Sequence, residues 1–132
     1  MKNTHLIKSE DLNHHGTLYA GRAAEWLVEA GFIAAATLTN PEQIVCKKIH
    51  GLEFKSPAKK GQLLQIESNI IFAGRTRLVA YIKASVNDKE LVNGFLSFVN
   101  INSDGKPLPH NIIINPISEE DKQLFEIAKD LK

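Results

Sequence analysis

The feature that most limits the possible folds is one long helical pattern set ahead of a run of strands. From Leu18 to Leu38 the chain is rich in alanine, and only Gly21 and Gly31 interrupt it. Ala23, Trp26, Leu27, Ala30, Ala34 and Leu38 recur at three- and four-residue steps, the period of a helix face. Phe32, Ile33 and Ala35 add apolar groups on the opposite side. A helix apolar over most of its circumference is normally enclosed. Thr39-Asn40-Pro41 stops it, because proline cannot continue a helix.

Strand patterns surround this helix. Thr4 to Ser9 reads as a short first strand at an edge, and Asp11 to Thr17 as a loop. Glu42–Phe54, Leu63–Ala73, Arg77–Val86 and Leu91–Ile101 read as four longer strands. Arg77 to Val86 alternates most cleanly, and Asn87-Asp88 makes a tight hairpin after it. Ser118 followed by Glu119, Glu120 and Asp121 starts a C-terminal amphipathic helix over about 118–131. The expected architecture is one α+β domain over 1–132, an antiparallel sheet against one long helix. A sheet this long leaves an edge for a second subunit.

Composition narrows the function. The chain has 132 residues, 43% hydrophobic and 23% charged, with a net charge of +1. No one-signed field is available for nucleic-acid or membrane-surface binding. The longest apolar stretch, Gly31 to Leu38, is far short of the roughly 20 residues that span a bilayer. MKNTHLIKSED has no apolar core of signal-peptide length, and one cysteine permits no intrachain disulfide. A cytoplasmic protein is expected. His14 and His15 are adjacent, but no ligand spacing supports a metal site. Cys46, in an apolar strand, is expected to be a buried thiol.

Arg22, Glu25 and Glu29 form a charged stripe on the apolar helix, directly after the polar loop Asn13-His14-His15-Gly16. On the residues alone the stripe is either a self-compensating surface or part of a site.

The stretch DLNHHGTLYAGRAAEWLVEAGFIAAA resembles the signature of hot-dog-fold acyl-CoA thioesterases: Asn, Gly, an apolar step into a glycine pair, then the central helix. GLEFKSPAKKGQLLQIESNIIFAGRTRL is similar to the family's Phe-x-x-Pro-x-x-x-Gly turn, strand and Gly-Arg-Thr step. LVNGFLSFVNINSDGKPLP resembles its last strand and Gly-Lys-Pro turn. The three stand in order over roughly residues 5 to 109.

The resemblance implies a curved antiparallel sheet wrapped around one central helix. It also implies a homodimer joined edge to edge, with sites at the interface, or a tetramer or hexamer built from it. The implied reaction is hydrolysis of acyl-CoA, with CoA entering as part of the substrate and no separate cofactor. Thioester hydrolysis asks for a carboxylate to activate water and for donors to hold the oxyanion. The residues matching those roles are Asn13 and Glu29 as catalytic groups. His15, Gly16, Ala20, Gly21, Phe54, Arg75 and Thr76 match substrate-binding positions. Lys59, Lys60 and Arg77 are further cations for CoA phosphates, and Pro57 flanks the pantetheine arm with Phe54.

The chain departs from the family pattern at three places. Val28 stands at the usual acidic position, and Glu29 matches the second of two successive acids found in some members. Ala20 replaces the first glycine of the pair, and Arg77 a common serine. Glu25 is the other candidate carboxylate. A non-catalytic acyl-CoA-binding protein and an acyl hydratase or dehydratase using His14 or His15 are the competing readings.

Overall fold

The computed structural model describes residues 1–132. Five strands form one antiparallel sheet: β1 (Lys2–Leu6), β2 (Ile44–Phe54), β3 (Leu63–Ala73), β4 (Arg77–Val86) and β5 (Lys89–Asn100). Their order is β1-β3-β4-β5-β2, so β1 and β2 are the two edges. Helix α1 (Ala20–Ala36) packs on one face, and helix α2 (Glu119–Lys129) on the other. Short 3₁₀ turns at Ser9–Asp11 and Pro41–Gln43 lead into α1 and β2.

The sequence pattern places most of this, with small shifts at the ends. The first strand lies earlier than expected, at Lys2–Leu6, and its former end becomes a 3₁₀ turn. β2 begins at Ile44, because Asn40 accepts the Glu42 N–H and caps a turn at Pro41. Such boundaries move by a residue or two wherever caps decide them.

α1 is held by one buried face. Ala23, Leu27, Ala30, Gly31, Ala34 and Ala35 are buried against the sheet. Opposite them lie Leu64, Ile66, Ala80, Ile82, Leu96 and Phe98. Burying Leu27 alone contributes roughly 1.5–3 kcal/mol. Gly31 lets the helix come close, since a Cβ there would lie 2.5 Å from Leu96 Cδ1. The helix is not enclosed all round, however: Glu25, Glu29 and Ile33 are exposed on its outer side, and Leu38 is exposed just past its end.

The sheet bends at irregular registers in β2, β3 and β4. At the β2–β5 bulge the chains nearly touch: a Cβ on Gly94 would lie 2.2 Å from the Gly51 carbonyl oxygen. Gly51 itself has φ +132, open only to glycine. On the far face, Phe72, Tyr81 and Phe95 line up under α2, and Ala128 is fully buried there. The edge strand β2 is largely bare, with Val45, Ile49 and Phe54 exposed.

Candidate active site

The loop before α1 is built around Asn13. Its Oδ1 accepts the N–H of His15 at 2.9 Å and of Thr17 at 3.2 Å. One Nδ2 hydrogen goes to Thr17 Oγ1 at 3.1 Å. Gly16, at φ +81, lets the chain reverse inside this turn. Leu18 N–H then bonds to the Ala58 carbonyl at 2.8 Å, pinning the loop to the turn between β2 and β3.

The helix start leaves donors open. Tyr19 caps α1 with extended backbone, and its carbonyl accepts from Arg22 and Ala23. The N–H groups of Ala20 and Gly21 have no partner within the chain. Unpaired N–H groups at the positive end of a 17-residue helix are suited to holding negative charge. The Tyr19 ring lies across Gly21, where any Cβ would meet its Cε2 at 2.5 Å.

Two hollows flank these donors. A mostly apolar cavity of about 270 Å³ holds Asn13, Leu18, Ala20, Phe54, Pro57 and Leu91 among its walls. An open groove of about 500 Å³ runs along the outer side of α1, lined by Gly21, Ala24, Glu25, Val28, Glu29 and Phe32. Val28 and Glu29 thus face the same groove. Glu25 is paired with Arg22 at 3.7 Å, while Glu29 has no ionic partner. Ala20 belongs to the cavity and Gly21 to the groove, so the two open N–H groups lie between them.

The remaining candidates lie elsewhere. His14 and His15 are exposed and pack on each other at 3.9 Å, lining neither hollow. Arg75 and Thr76 occupy the turn after β3, at the opposite end of that strand from the cavity. Eleven residues at about 3.3 Å each put roughly 36 Å between those ends. Within one chain these two residues do not join Asn13. Arg77 is committed to α2: its Nη1 donates to the Leu131 carbonyl at 2.5 Å.

Cys46 corrects an expectation. It is exposed on the bare edge strand, not buried. Partial burial still pushes its thiol above the ordinary value, which leaves it protonated at neutral pH.

Sequence reasoning missed Asp11. Its carboxylate is buried, accepts the Lys8 N–H at 2.9 Å and meets Arg22 Nε at 3.2 Å. A three-residue step from Lys8 and an acid before a helix were its only sequence signals. No group of three or more His, Cys, Asp or Glu side chains is placed to hold a metal ion. No helix is long and apolar enough to cross a membrane.

A five-stranded antiparallel sheet curved around one long helix, with open helix-start donors at its mouth, is the hot-dog architecture. A crystal structure described as an apo-hexameric acyl-CoA thioesterase superposes with a TM-score of 0.89 at 28% identity, over 98% of this chain and 85% of that one. The chain belongs to the thioesterase superfamily, whose family model matches residues 15–92. An uncharacterized acyl-CoA thioester hydrolase of Bacillus subtilis is 26% identical over 124 residues, covering 89% of this chain and 71% of that protein. The cytosolic acyl coenzyme A thioester hydrolase of Rattus norvegicus is 23% identical over 133 residues. That match takes in 95% of this chain but only 34% of the rat protein.

Proposed function

We propose that this protein is an acyl-CoA thioesterase that works as a homo-oligomer. The observation that carries the reading is the pair of open N–H groups at Ala20 and Gly21, set between the Asn13 cavity and the Glu29 groove. The acyl-CoA thioester hydrolases among its relatives support the substrate class. CoA enters as part of the substrate, and the reaction needs no further cofactor.

In this mechanism Glu29 takes a proton from water, and the hydroxide adds to the thioester carbonyl carbon. The charge that develops on the carbonyl oxygen meets the helix-start N–H groups and the second Nδ2 hydrogen of Asn13. The C–S bond then breaks, the acid leaves, and the thiolate of CoA takes the proton back from Glu29. The products are the free acid and CoA.

One chain does not complete this site. Gly21 and Glu29 are eight residues apart on α1, or about 12 Å along the axis. A glutamate side chain does not close that gap. Two copies joined along the exposed β2 edge would let the groove of one face the helix start of the other. The apolar side chains bare on β2 support that pairing. The hexameric acyl-CoA thioesterase it superposes on supports assembly, though not its size.

A second reading has its own observation. Val28 occupies the groove at the position where the family's acid is expected. A groove without that acid would bind acyl-CoA and leave it whole. The experiment is thiol release from acyl-CoAs of graded chain length, by the wild type and by Glu29→Gln. Turnover that drops about a hundredfold or more in Glu29→Gln, with CoA binding kept, supports hydrolysis through Glu29. Full activity in that variant removes Glu29 from the mechanism. Tight binding with no turnover on any chain length establishes the binding reading.

A further inference from the structure

The cavity beside the start of α1 has a rim and a floor of different chemistry. Asn13, Ala20 and Phe54 stand at the rim, with the open Ala20 N–H and the spare Nδ2 hydrogen of Asn13. Ala20 and Phe54 are exposed, and Asn13 is half-buried. Ala23, Ala58, Leu64, Leu91 and Val92 make the floor, and none is more than 5% exposed. The other polar side chains on the walls are Lys55, which is exposed and held by Glu90 at 2.6 Å, and the half-buried Ser56. The floor therefore offers no polar side chain to a ligand. It suits a run of methylene groups, and a polar group driven onto it would lose its water without finding a partner.

Ala23 stands where that run must pass. It lies three residues after Ala20 on the same side of α1, about 4.5 Å further along the axis. It is 2% exposed, yet it stands outside both packed clusters of buried side chains, unlike Leu27 and Ala30. Its methyl group meets the hollow instead. Phe54 lies on β2, the edge that a second copy would cover, but the floor residues come from α1, β3, β5 and the turn before β3 of the same chain. The depth of the cavity is thus set within one protomer. A cavity of about 150 Å³ holds benzene, so one of about 270 Å³ has room for a chain of roughly ten carbons.

We propose that this cavity takes the acyl chain, that it selects unsubstituted acyl groups of up to roughly ten carbons, and that Ala23 sets the limit. This rests on the reading of the protein as a thioesterase with its oxyanion donors at the start of α1. With the carbonyl oxygen on the Ala20 N–H, the chain runs down past Ala23 to Leu64 and Val92. Each methylene buried on the way raises kcat/KM by up to about fourfold, until the floor is reached. A larger side chain at position 23 takes the space of the last few carbons and leaves the rim untouched.

The test measures kcat/KM for acetyl-, butyryl-, hexanoyl-, decanoyl- and palmitoyl-CoA in the wild type, Ala23→Leu and Ala24→Leu. Ala24 is the matched comparison, because it lines the open groove, about 100° around the helix. The wild type is expected to gain efficiency up to decanoyl-CoA and none beyond it. Ala23→Leu is expected to lose about tenfold or more on decanoyl-CoA and less than about twofold on acetyl-CoA. Ala24→Leu is expected to act equally on every chain length. Succinyl-CoA, with its terminal carboxylate, is expected to be at least about tenfold poorer than butyryl-CoA for the wild type. Ala23→Val adds less bulk, shifts the profile less in the same direction, and serves if the leucine variant does not fold. A profile unchanged by the substitution at Ala23, or shifted as much by Ala24→Leu, overturns the proposal. So does a loss equal at every chain length in a variant with the circular dichroism of the wild type, or equal turnover of succinyl- and butyryl-CoA. If the wild type cleaves no acyl-CoA, the hydrolase reading fails on its own. Affinities for S-hexyl- and S-decyl-CoA, thioethers that cannot be hydrolysed, then decide: a preference for the decyl chain that Ala23→Leu abolishes supports the cavity, and no preference, or one that survives the substitution, refutes it.

Discussion

The guanidinium of Arg77 rests over the Phe72 ring, 5.1 Å from its centroid. Phe72 stacks in turn on Phe125 of α2 at 5.3 Å, and Arg77 donates to the Lys129 carbonyl in the last turn of the helix and to the Leu131 carbonyl just past it. Arg77 thus clamps α2 to the sheet by a cation–π contact and by capping carbonyls. Arg77→Ala should cost about 1–3 kcal/mol, with hydrogen-exchange protection lost first across residues 119–131. KM for acyl-CoA should change less than about twofold, because Arg77 is spent on α2. A large rise in KM with unchanged protection would return it to the substrate.

Gly94 faces the Gly51 carbonyl across the β2–β5 bulge, with no room for a methyl group. The obstacle is backbone, which cannot turn aside as a side chain end would. Gly94→Ala should destabilise the fold by about 1–3 kcal/mol, read as a fall of several degrees in Tm. It should also loosen β2 from β5 and weaken association of copies, which sedimentation would detect. An unchanged Tm would show that the bulge can open freely.

His50 pairs with the buried Ser97 Oγ at 2.6 Å on the face under α2. Burial holds this imidazole below its ordinary value of 6.5, and the nearby Lys48 and Arg77 add to the effect. Between the folded and ordinary values the unfolded chain binds more protons than the folded one. Stability is therefore full above the ordinary value, falls as pH drops through it, and levels off below the folded value. Tm should decline as pH drops from neutral through 6.5, and His50→Gln should flatten that decline. A further fall should come in both proteins as pH drops from the ordinary carboxylate value of 4.5 through the lower folded values. There Lys2 and Lys83 hold Glu67 down, and Lys55 holds Glu90 down.

Asn13 has a structural duty as well as a proposed chemical one. Its oxygen organises the loop, and its amide nitrogen has a hydrogen to spare. Asn13→Asp keeps acceptors for the His15 and Thr17 N–H groups. It should hold Tm within a few degrees yet lower kcat by about ten- to a hundredfold. Asn13→Ala should lower both. Equal activity in wild type and Asn13→Asp would confine Asn13 to shaping the loop.

Period carried the sheet and the long helix. Leu78, Ala80, Ile82 and Ala84 alternate along β4, and their side chains do lie against α1. The signal that failed was depth. Cys46 lies in an apolar run, and an edge strand awaiting a partner reads the same as a buried one. Asp11 was hidden because burial of a loop carboxylate is a tertiary property: it is set by Arg22, eleven residues later. Arg77 reads in the sequence as a cation for CoA phosphates, yet its partner Leu131 is 54 residues away, beyond any local pattern. The stripe of Arg22, Glu25 and Glu29 was visible in the sequence. That Arg22 pairs with Asp11 as well as with Glu25, while Glu29 has no ionic partner, was not.

The clamp on α2 has a practical side. Lys48 also donates to the Lys132 carbonyl, so two cations from separate strands grip the last residues described. Beneath them lie Phe72, Tyr81 and Phe95. Cutting the chain back to residue 118 would release both grips and bare that aromatic strip, and the preparation would become more prone to clumping.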